Sequence, residues 1–295
     1  MSNNVPQHYE TQFTTNIELL QQKKGSVLLP YLRKVPGGGQ NMAVIDQVGS
    51  VAAREVTTRY AAITPEDVPV DRRWVAPKTY DWATYVDTFD KLKLLIDPTS
   101  IYAEAAAMAM GRQIDTNITT AFFASAKTGV DGTTTTSFSS GQQVAVNTGS
   151  SSATVLNMAK VRAAEKLFLS NHYTPADELI MVVDGVQMAN MKGEYEATDA
   201  TNKVSAMFDS NGMITQIGIF KVILCNSLPL DGSSYTRIPV FAKNAMAYAE
   251  WMGVSAKVTQ RTDLRGQPYQ IYTDMVGNAT RTQEVGVVEI KCVNS

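Results

Sequence analysis

The residue types that could perform acid–base or nucleophilic chemistry are few and lie far apart in the chain. Only two histidines occur among the 295 residues. His8 lies in a polar N-terminal stretch, and His172 precedes Tyr173 at a predicted helix end. A catalytic triad needs a histidine between a nucleophile and a carboxylate, and the sequence contains no GxSxG nucleophile motif. We therefore favour a surface or helix-end role for His172, with a general base as the alternative.

Metal and phosphate chemistry is equally poorly supported. The densest acidic cluster, Glu194, Glu196 and Asp199, could bind a hard cation such as Ca²⁺, but it lacks the ligand spacing of a calcium-binding loop. A solvated loop is the favoured interpretation. The glycine triplet at residues 37–39 lacks the Lys-Ser/Thr of a phosphate-binding loop, and no GxGxxG motif occurs. The sequence therefore predicts neither enzyme activity nor a metal or cofactor site.

Composition narrows the class of protein further. The apolar content of 44% is ordinary for a soluble protein, whereas the charged fraction of 18% is low. The net charge of −2 lacks the basic excess of a dedicated nucleic-acid binder. The N-terminus is too polar for a signal peptide, and no apolar run has the roughly 18 residues of a membrane span. We expect a soluble protein made in a cytoplasm.

Two cysteines, Cys225 and Cys292, lie far apart in strand-like segments. Free cysteine is among the most frequently buried residue types. We expect two buried free thiols, with a disulfide as the alternative, and the spacing fits no metal site.

One long helix is predicted over residues 97–126. Asp97 and Pro98 suit its first turn, and Gly129 is the predicted stop. Its apolar positions recur at steps of three and four: Ala103, Ala107, Met110, Ile114, Ile118, Ala121 and Phe122. The opposite side carries Glu104, Arg112, Asp115 and Thr119. We interpret the helix as a structural element that packs one face and offers the other to a neighbour.

A long β-hairpin is predicted before this helix. Its arms are VAAREVTTRYAAI (residues 51–63) and RRWVAPKTYDWATYVDTF (residues 72–89), joined by a turn rich in Pro and Asp. An isolated hairpin is marginal in water. With Trp74, Tyr80 and Trp82 exposed, it requires a partner surface.

The rest of the chain reads as further strands and helices around short polar loops. We predict a surface loop with an Asp131–Gly132 turn, then a helix over residues 152–171. Buried strands are predicted at residues 177–185, 217–229 and 238–251, a short helix at 187–191, and a polar loop from 191 to 203. Residues 255–292 are strand-like, with a hairpin tip at 265–268. A compact α/β subdomain is predicted over residues 172–245.

This order of elements resembles the major capsid proteins of tailed bacteriophages, which have the Hong Kong 97 phage-type fold. Two segments carry the resemblance: TYDWATYVDTFDKLKLLIDPTSIYAEAAAMAMGRQIDTNITTAFFASAKTGVDG (residues 79–132) and GNATRTQEVGVVEIKC (residues 277–292). The resemblance extends over nearly the whole chain.

The resemblance implies an α+β fold with four parts. These are an N-terminal arm at 1–45, an extended β-hairpin loop at 46–88, a peripheral domain at 89–171 and 246–295, and an axial domain at 172–245. The long helix would be the spine helix of the peripheral domain. Residues 193–202 would meet their copies around the fivefold and sixfold axes, and the hairpin at 260–270 would meet its copies near the threefold positions.

The function implied by the resemblance is that of a structural coat protein. It would assemble as hexamers and pentamers into an icosahedral head enclosing double-stranded DNA, within the host bacterium's cytoplasm. A portal and a possible decoration protein would be partners. Because the extended β-hairpin loop is predicted to begin at residue 46, we expect a separate scaffolding protein. The alternative is an encapsulin-like nanocompartment shell that encloses an enzyme cargo.

Charged and aromatic side chains expected at the surface are the predicted inter-subunit contacts. They are Arg54, Arg59, Arg72, Arg73, Trp74, Glu104, Arg112, Asp115, Glu194, Glu196, Arg261, Asp263 and Arg265. For the arginine clusters, phosphate contact is the alternative to ion pairs with a neighbouring subunit.

Overall fold

The structure, a computed structural model, describes residues 25–38, 43–59, 62–63, 65–86, 99–198 and 212–294. The fold is α+β, as predicted, with α-helices and three β-sheets in the described part. The helices are α1 (Thr99–Phe123), α2 (Met158–Ser170) and α3 (Gly185–Thr198). Asp97 and Pro98, the predicted start of α1, lie outside the described residues.

The largest sheet has six strands in the order β7-β14-β11-β8-β10-β9. Its strands are β7 (Gln143–Val144), β14 (Val287–Cys292), β11 (Thr236–Ala242), β8 (Leu179–Val183), β10 (Phe220–Leu224) and β9 (Gln216–Ile217). The predicted apolar strand β8 is buried at every position and lies inside the sheet, with β10 and β11 paired to its two edges. Strand β14, placed by the resemblance in the peripheral domain, pairs with β11 and β7 in this sheet.

Two further sheets have four strands each. The first runs β1-β12-β13-β4 and contains β1 (Arg33–Pro36), β12 (Met246–Gln260), β13 (Tyr269–Arg281) and β4 (Thr79–Val86). The second runs β2-β3-β5-β6 and contains β2 (Ala43–Val48), β3 (Val70–Val75), β5 (Ala126–Thr128) and β6 (Thr134–Thr136). The predicted strand at 238–251 is two strands, β11 and β12, separated by a short 3₁₀ turn at Lys243–Ala245.

The chain forms two compact units. The first contains Met1–Gly25, Tyr80–Gly111 and Val254–Met275, and the second contains Ser26–Thr79, Arg112–Gly253 and Val276–Ser295. Helix α1 and strands β12 and β13 each contribute residues to both units. The six-stranded sheet belongs entirely to the second unit.

The apolar face of α1 is confirmed over its C-terminal half. Met110, Ile114, Ile118 and Phe122 are all buried, whereas Ala107 is exposed. The helix ends at Phe123. The predicted stop, Gly129, is not part of the helix end; it lies with a positive φ in the turn between β5 and β6.

Asp115, which we predicted on the outer face of α1, is fully buried within its own chain. Its carboxylate accepts hydrogen bonds from the Ser26 hydroxyl at 2.5 Å and from the backbone N–H groups of Val27 and Leu28 at 3.1 Å each. These donors come from a segment almost 90 positions earlier. The prediction for Asp115 is therefore corrected: this side chain holds residues 26–28 against the helix and is not exposed for contact with a neighbour.

Helix α3 corrects the prediction of a polar loop. Only residues 187–191 were predicted to be helical, yet α3 continues to Thr198. The Glu194 carboxylate accepts bonds from the backbone N–H of Met158, at 3.1 and 3.2 Å. An acceptor at the first N–H groups of α2 is favourable because these groups have no partner within the helix.

Lys160 is a buried cation that joins α2 to the C-terminal strand. Its ammonium donates to the carbonyl oxygens of Thr154 at 2.6 Å, Val155 at 3.1 Å and Lys291 at 2.9 Å. Burial lowers the pKa of Lys160. The three carbonyl oxygens satisfy the donors of the ammonium, which offsets the cost of removing it from water.

The two cysteines are buried free thiols, as predicted. Burial raises the pKa of Cys292 to about 12. In the described part of the chain, no helix is long and apolar enough to cross a membrane.

Replacing Asp115 with Ala tests the corrected role of this side chain. Removing the acceptor leaves several buried donors unsatisfied, and we expect the free energy of unfolding to fall by about 3 kcal/mol. Urea denaturation followed by circular dichroism measures this change. Glu104→Ala, at an exposed position of the same helix, should change stability by at most about 0.5 kcal/mol. Equal effects of the two substitutions would contradict the assignment.

Thiol labelling tests the burial of both cysteines. Because Cys225 and Cys292 are at most 1% exposed, the reagent cannot reach either sulfur, and we expect no reaction with Ellman's reagent at pH 8 in the folded protein. Both thiols should react after unfolding in urea. Rapid reaction of either thiol in the folded state would show that the segment carrying it is accessible.

Candidate functional site

The most exposed described part of the chain is the connection between β2 and β3. These strands pair antiparallel from Ala43↔Val75 to Val48↔Val70, so the predicted hairpin exists. Its first arm is different from the prediction, because residues 51–63 form no strand where they are described. The alternating pattern at 51–63 has no partner strand to pair with, and we call residues 49–69 the extended loop.

The extended loop has apolar side chains that the described part of the chain leaves exposed. Val56 is 86% exposed and Ile63 is 95% exposed, while Val51 and Val68 are also exposed. Single exposed apolar residues are common on protein surfaces, but several on one projecting segment indicate a contact surface.

The predicted contact residues on and beside this loop are accessible. Arg54 forms an exposed ion pair with Glu66 at 3.2 Å, and Arg59 is exposed. Arg72, at the base of the hairpin, pairs with Asp46 at 2.8 Å. Such exposed pairs contribute little stability on their own, so their side chains can exchange partners at little cost.

Arg73 and Trp74 do not have the exposure that we predicted. Arg73 is buried, and Trp74 is half-buried. The indole N–H of Trp74 donates to the carbonyl oxygen of Gly129 at 2.8 Å, and its ring lies where a side chain at Gly132 would be. Tyr80 and Trp82 are also half-buried. Trp74 therefore packs the hairpin against the β5–β6 turn.

The C-terminal end of α1 is capped by a fully buried arginine, Arg281. Its guanidinium donates to the carbonyl oxygens of Phe122 at 2.7 Å and Ala124 at 2.9 Å, and it lies 5.2 Å from the ring centroid of Phe138. The last carbonyl groups of a helix have no partner within the helix and carry partial negative charge. A cation with planar, forked donors suits this position.

Glu284 connects this cap to the hairpin. Its carboxylate accepts from Arg281 Nε at 2.6 Å and pairs with Arg73 Nη1 at 3.2 Å. Arg73 Nε also donates to Gln47 on β2, at 3.3 Å, and Gln47 donates to the Thr282 carbonyl oxygen at 2.7 Å. We call Arg73, Glu284 and Arg281 the Glu284 cluster.

Aromatic side chains hold the same helix end on the six-stranded sheet. The rings of Phe122 and Phe241 lie 4.8 Å apart. The Arg237 guanidinium lies 4.1 Å from the ring centroid of Phe123 and pairs with the buried carboxylate of Glu289 at 2.5 Å. The position of α1 on the sheet is therefore fixed by both apolar and charged contacts.

The predicted hairpin tip is confirmed between β12 and β13. Arg261 Nε and Nη2 donate to the two Asp263 carboxylate oxygens at 2.8 and 2.7 Å, and Arg265 is exposed. Hydrogen bonding from Arg261 lowers the pKa of Asp263 to about 2. Since both partners lie at the surface of the tip, the pair shapes the tip and adds little to global stability.

The remaining predicted contact residues are dispersed. Glu104 is exposed and Arg112 is half-buried on α1. Glu194 caps α2, as described above, and the side chain of Glu196 lies outside the described residues, as does Asp199. The structure brings Arg73 together with the base of the extended loop.

No arrangement for catalysis is evident in the described residues. They contain no group of three or more His, Cys, Asp or Glu side chains that could hold a metal ion. His172 follows the end of α2 with a left-handed backbone, and His8 lies outside the described part. The candidate functional features are the exposed extended loop and hairpin tip, together with the buried Glu284 cluster at the base of the loop.

Sequence reasoning missed Arg281, Glu284, Arg237 and Glu289. Arg281 and Glu284 are three positions apart, between two strand-like segments, and no local pattern marks them as buried. Their partners come from α1 and β3, far away in the chain. A clue was available only in GVVEIKC (residues 286–292), where Glu289 lies between the apolar residues Val288 and Ile290 of a predicted strand.

The described features with a possible role in contact are an uncovered loop, the buried cluster at its base and an exposed hairpin tip. The particular family follows from the sequence: the model of a family described as phage capsid protein matches residues 5–294. The chain belongs to that family, and it is a structural major capsid protein of the virion. No curated protein matches the chain.

Solved structures share this fold at low sequence identity. A capsid structure of the cyanophage P-SCSP1u is similar with a TM-score of 0.72 and 12% identity, over 94% of this chain and 91% of that one. A Mycobacterium phage Che8 structure has a TM-score of 0.67 and 13% identity, over 93% and 94%. The capsid of Ralstonia phage GP4 has a TM-score of 0.68 and 10% identity, over 100% and 98%. The Hong Kong 97 phage-type fold is thus confirmed.

The charge state of the hairpin tip offers a direct test. A lowered pKa means that the Asp263 pair contributes its stability above the unfolded value of 3.8 and loses it as the pH falls through about 2. We expect the ¹³C carboxyl signal of Asp263 to titrate near 2, and Arg261→Gln to move the midpoint toward 3.8. Arg265→Gln, at the same tip, should leave the midpoint unchanged. A wild-type midpoint near 3.8 would contradict the geometry.

Proposed function

We propose that the extended loop lies on an adjacent subunit, and that this contact joins copies of the chain into hexamers and pentamers of an icosahedral head around double-stranded DNA. The observation that carries this proposal is the set of uncovered apolar side chains, Val51, Val56, Ile63 and Val68, on a phage capsid protein. Burying one such side chain contributes roughly 1.5 kcal/mol or more.

Because the same loop contact recurs between all subunits of an assembly, a modest contribution from each contact is enough to hold the assembly together. In a closed ring, each subunit gives one loop and receives another, so the contact is heterologous and recurs at every interface. Joining many weak contacts within one assembly raises the total affinity well above that of a single contact. Arg54, Glu66 and Arg59 surround the apolar positions and are placed to select a neighbour by charge.

The remaining parts of the proposal rest on the family. Residues 172–245 are assigned to the axial domain, and β14 joins them through its pairing with β11. Residues 89–171 with the rest of 246–295 are assigned to the peripheral domain, and residues 1–45 to the N-terminal arm. The tip between β12 and β13 would meet its copies near threefold positions, and residues 193–202 would lie near the fivefold and sixfold axes.

Partners of the shell are proposed on the same basis. A separate scaffolding protein and a portal would act during assembly in the cytoplasm of the host bacterium, and a decoration protein could bind the outer surface. Contact with DNA would lack sequence specificity. A net charge of −2 suits a lining that does not grip the packaged phosphates. An encapsulin-like shell is not favoured, because the family and the structural neighbours are phage capsids.

Loop replacement tests the proposal. Substituting residues 51–68 by a short Gly-Ser turn should leave the subunit folded, since the described part of this segment is exposed throughout. Assembly should fall sharply because the contact surface is gone. Sedimentation velocity and negative-stain electron microscopy measure particles, and circular dichroism measures folding.

Two matched variants separate apolar from ionic contacts in the same test. A variant with four Ser substitutions, at Val51, Val56, Ile63 and Val68, should impair assembly as strongly as the loop replacement. Arg54→Gln with Glu66→Gln keeps the length and the apolar residues, and it should still assemble. Particles of normal yield and size from the loop replacement would refute the proposal.

A further inference from the structure

The base of the extended loop lies over an open cleft of about 770 Å³. Its lining includes Ile45 and Val48 of β2, Val70 of β3, and Asn244 and Gln283. Pairing of β3 with β5 and the packing of Trp74 hold the end of the hairpin nearest Val75. Toward Val48 and Val70, where the chain continues into the loop, side chains that bridge to the rest of the unit add to these contacts in setting the direction of the hairpin.

Two such bridges are seen at the cleft. The Gln47 side chain donates to the Thr282 carbonyl oxygen at 2.7 Å, and both residues line the cleft. Arg73, on the partner strand, pairs with Glu284 at 3.2 Å. The two bridges are themselves connected, because Arg73 Nε donates to Gln47 Oε1 at 3.3 Å.

Glu284 has the central place among these contacts. One carboxylate oxygen faces Arg73, and the other accepts from Arg281, which is bonded to the end of α1. The side chains of Arg281, Arg73 and Glu284 are 0%, 9% and 20% exposed. Pairs at this depth are screened weakly by salt, and removal of one partner leaves buried charge uncompensated.

We propose that Glu284 is a positioning residue for the extended loop: by joining Arg73 to Arg281, it fixes the direction in which the hairpin leaves the subunit. The importance of that direction for contact with a neighbour rests on the proposed function of the loop. The fixing itself is a property of the single subunit and can be measured without assembly.

Distance measurement between two spin labels tests the positioning role. One label is attached at Ser50→Cys, just beyond β2, and the other at Ser170→Cys, at the exposed end of α2. The native Cys225 and Cys292 are buried and stay unlabelled. In the unassembled full chain, we expect a narrow distance distribution, and Glu284→Gln should widen it about twofold as the hairpin samples further orientations.

Controls separate positioning from general destabilisation. A second label pair, Ser170→Cys with Ser233→Cys, reports on the same unit away from the hairpin and should keep its width in Glu284→Gln. Glu178→Gln removes the carboxylate charge of an exposed pair with Lys243 and should leave both widths unchanged. If Glu284→Gln does not fold, Arg73→Met removes only the hairpin side of the cluster and should produce the same widening.

The outcomes distinguish this inference from the function of the loop. An unchanged Ser50–Ser170 width in a folded Glu284→Gln or Arg73→Met variant overturns the positioning role, whatever happens to assembly. Equal widening of both label pairs also overturns it, because that result indicates general loosening. A widened distribution with normal particles supports the positioning role and shows that assembly does not need a fixed hairpin direction; the need for the loop itself is decided by the loop replacement. A widened distribution with fewer particles supports both.

Discussion

The buried guanidinium of Arg281 at the end of α1 is the interaction on which the rest of the described arrangement depends. The helix delivers its unpaired carbonyl groups into the protein interior, where water cannot satisfy them. Arg281 satisfies two of them, and Glu284 balances its charge. Breaking a buried pair of this kind by removing one partner costs about 3–5 kcal/mol. The same cluster fixes Arg73, so the helix end and the hairpin are positioned together.

The interior of the subunit and the extended loop differ in whether their side chains have contact partners. Inside, charged groups are bonded repeatedly: Asp115 accepts three hydrogen bonds, and Lys160 donates to three carbonyl oxygens. The loop instead exposes Val56 and Ile63 almost completely. Apolar side chains left in water on a phage capsid protein support the proposal that further copies of the chain cover them.

Elements that are specified by a short stretch of sequence could be predicted from that stretch alone. The stripe Met110, Ile114 and Phe122 is buried because a helix repeats every 3.6 residues, and β8 was recognised from its unbroken apolar run. The family resemblance predicted the fold.

Asp115 was placed on the wrong side because its donors, Ser26 to Leu28, come from another part of the chain. The prediction of a strand at residues 51–63 was wrong because an alternating sequence forms a strand only where a neighbouring strand is available for pairing. The Glu284 cluster could not be predicted at all, since its members belong to separate segments that only the folded chain brings together.

Electron cryomicroscopy of assembled particles is the decisive measurement of the loop contact, because one map shows both ends of the hairpin. We expect residues 51–68 of each subunit to lie on an adjacent subunit, with Val56 and Ile63 covered there. At the base of the same hairpin, Glu284 should still bridge Arg73 and Arg281. Particles in which the loop projects into solvent, or folds back on its own subunit while the shell is intact, would contradict the loop contact.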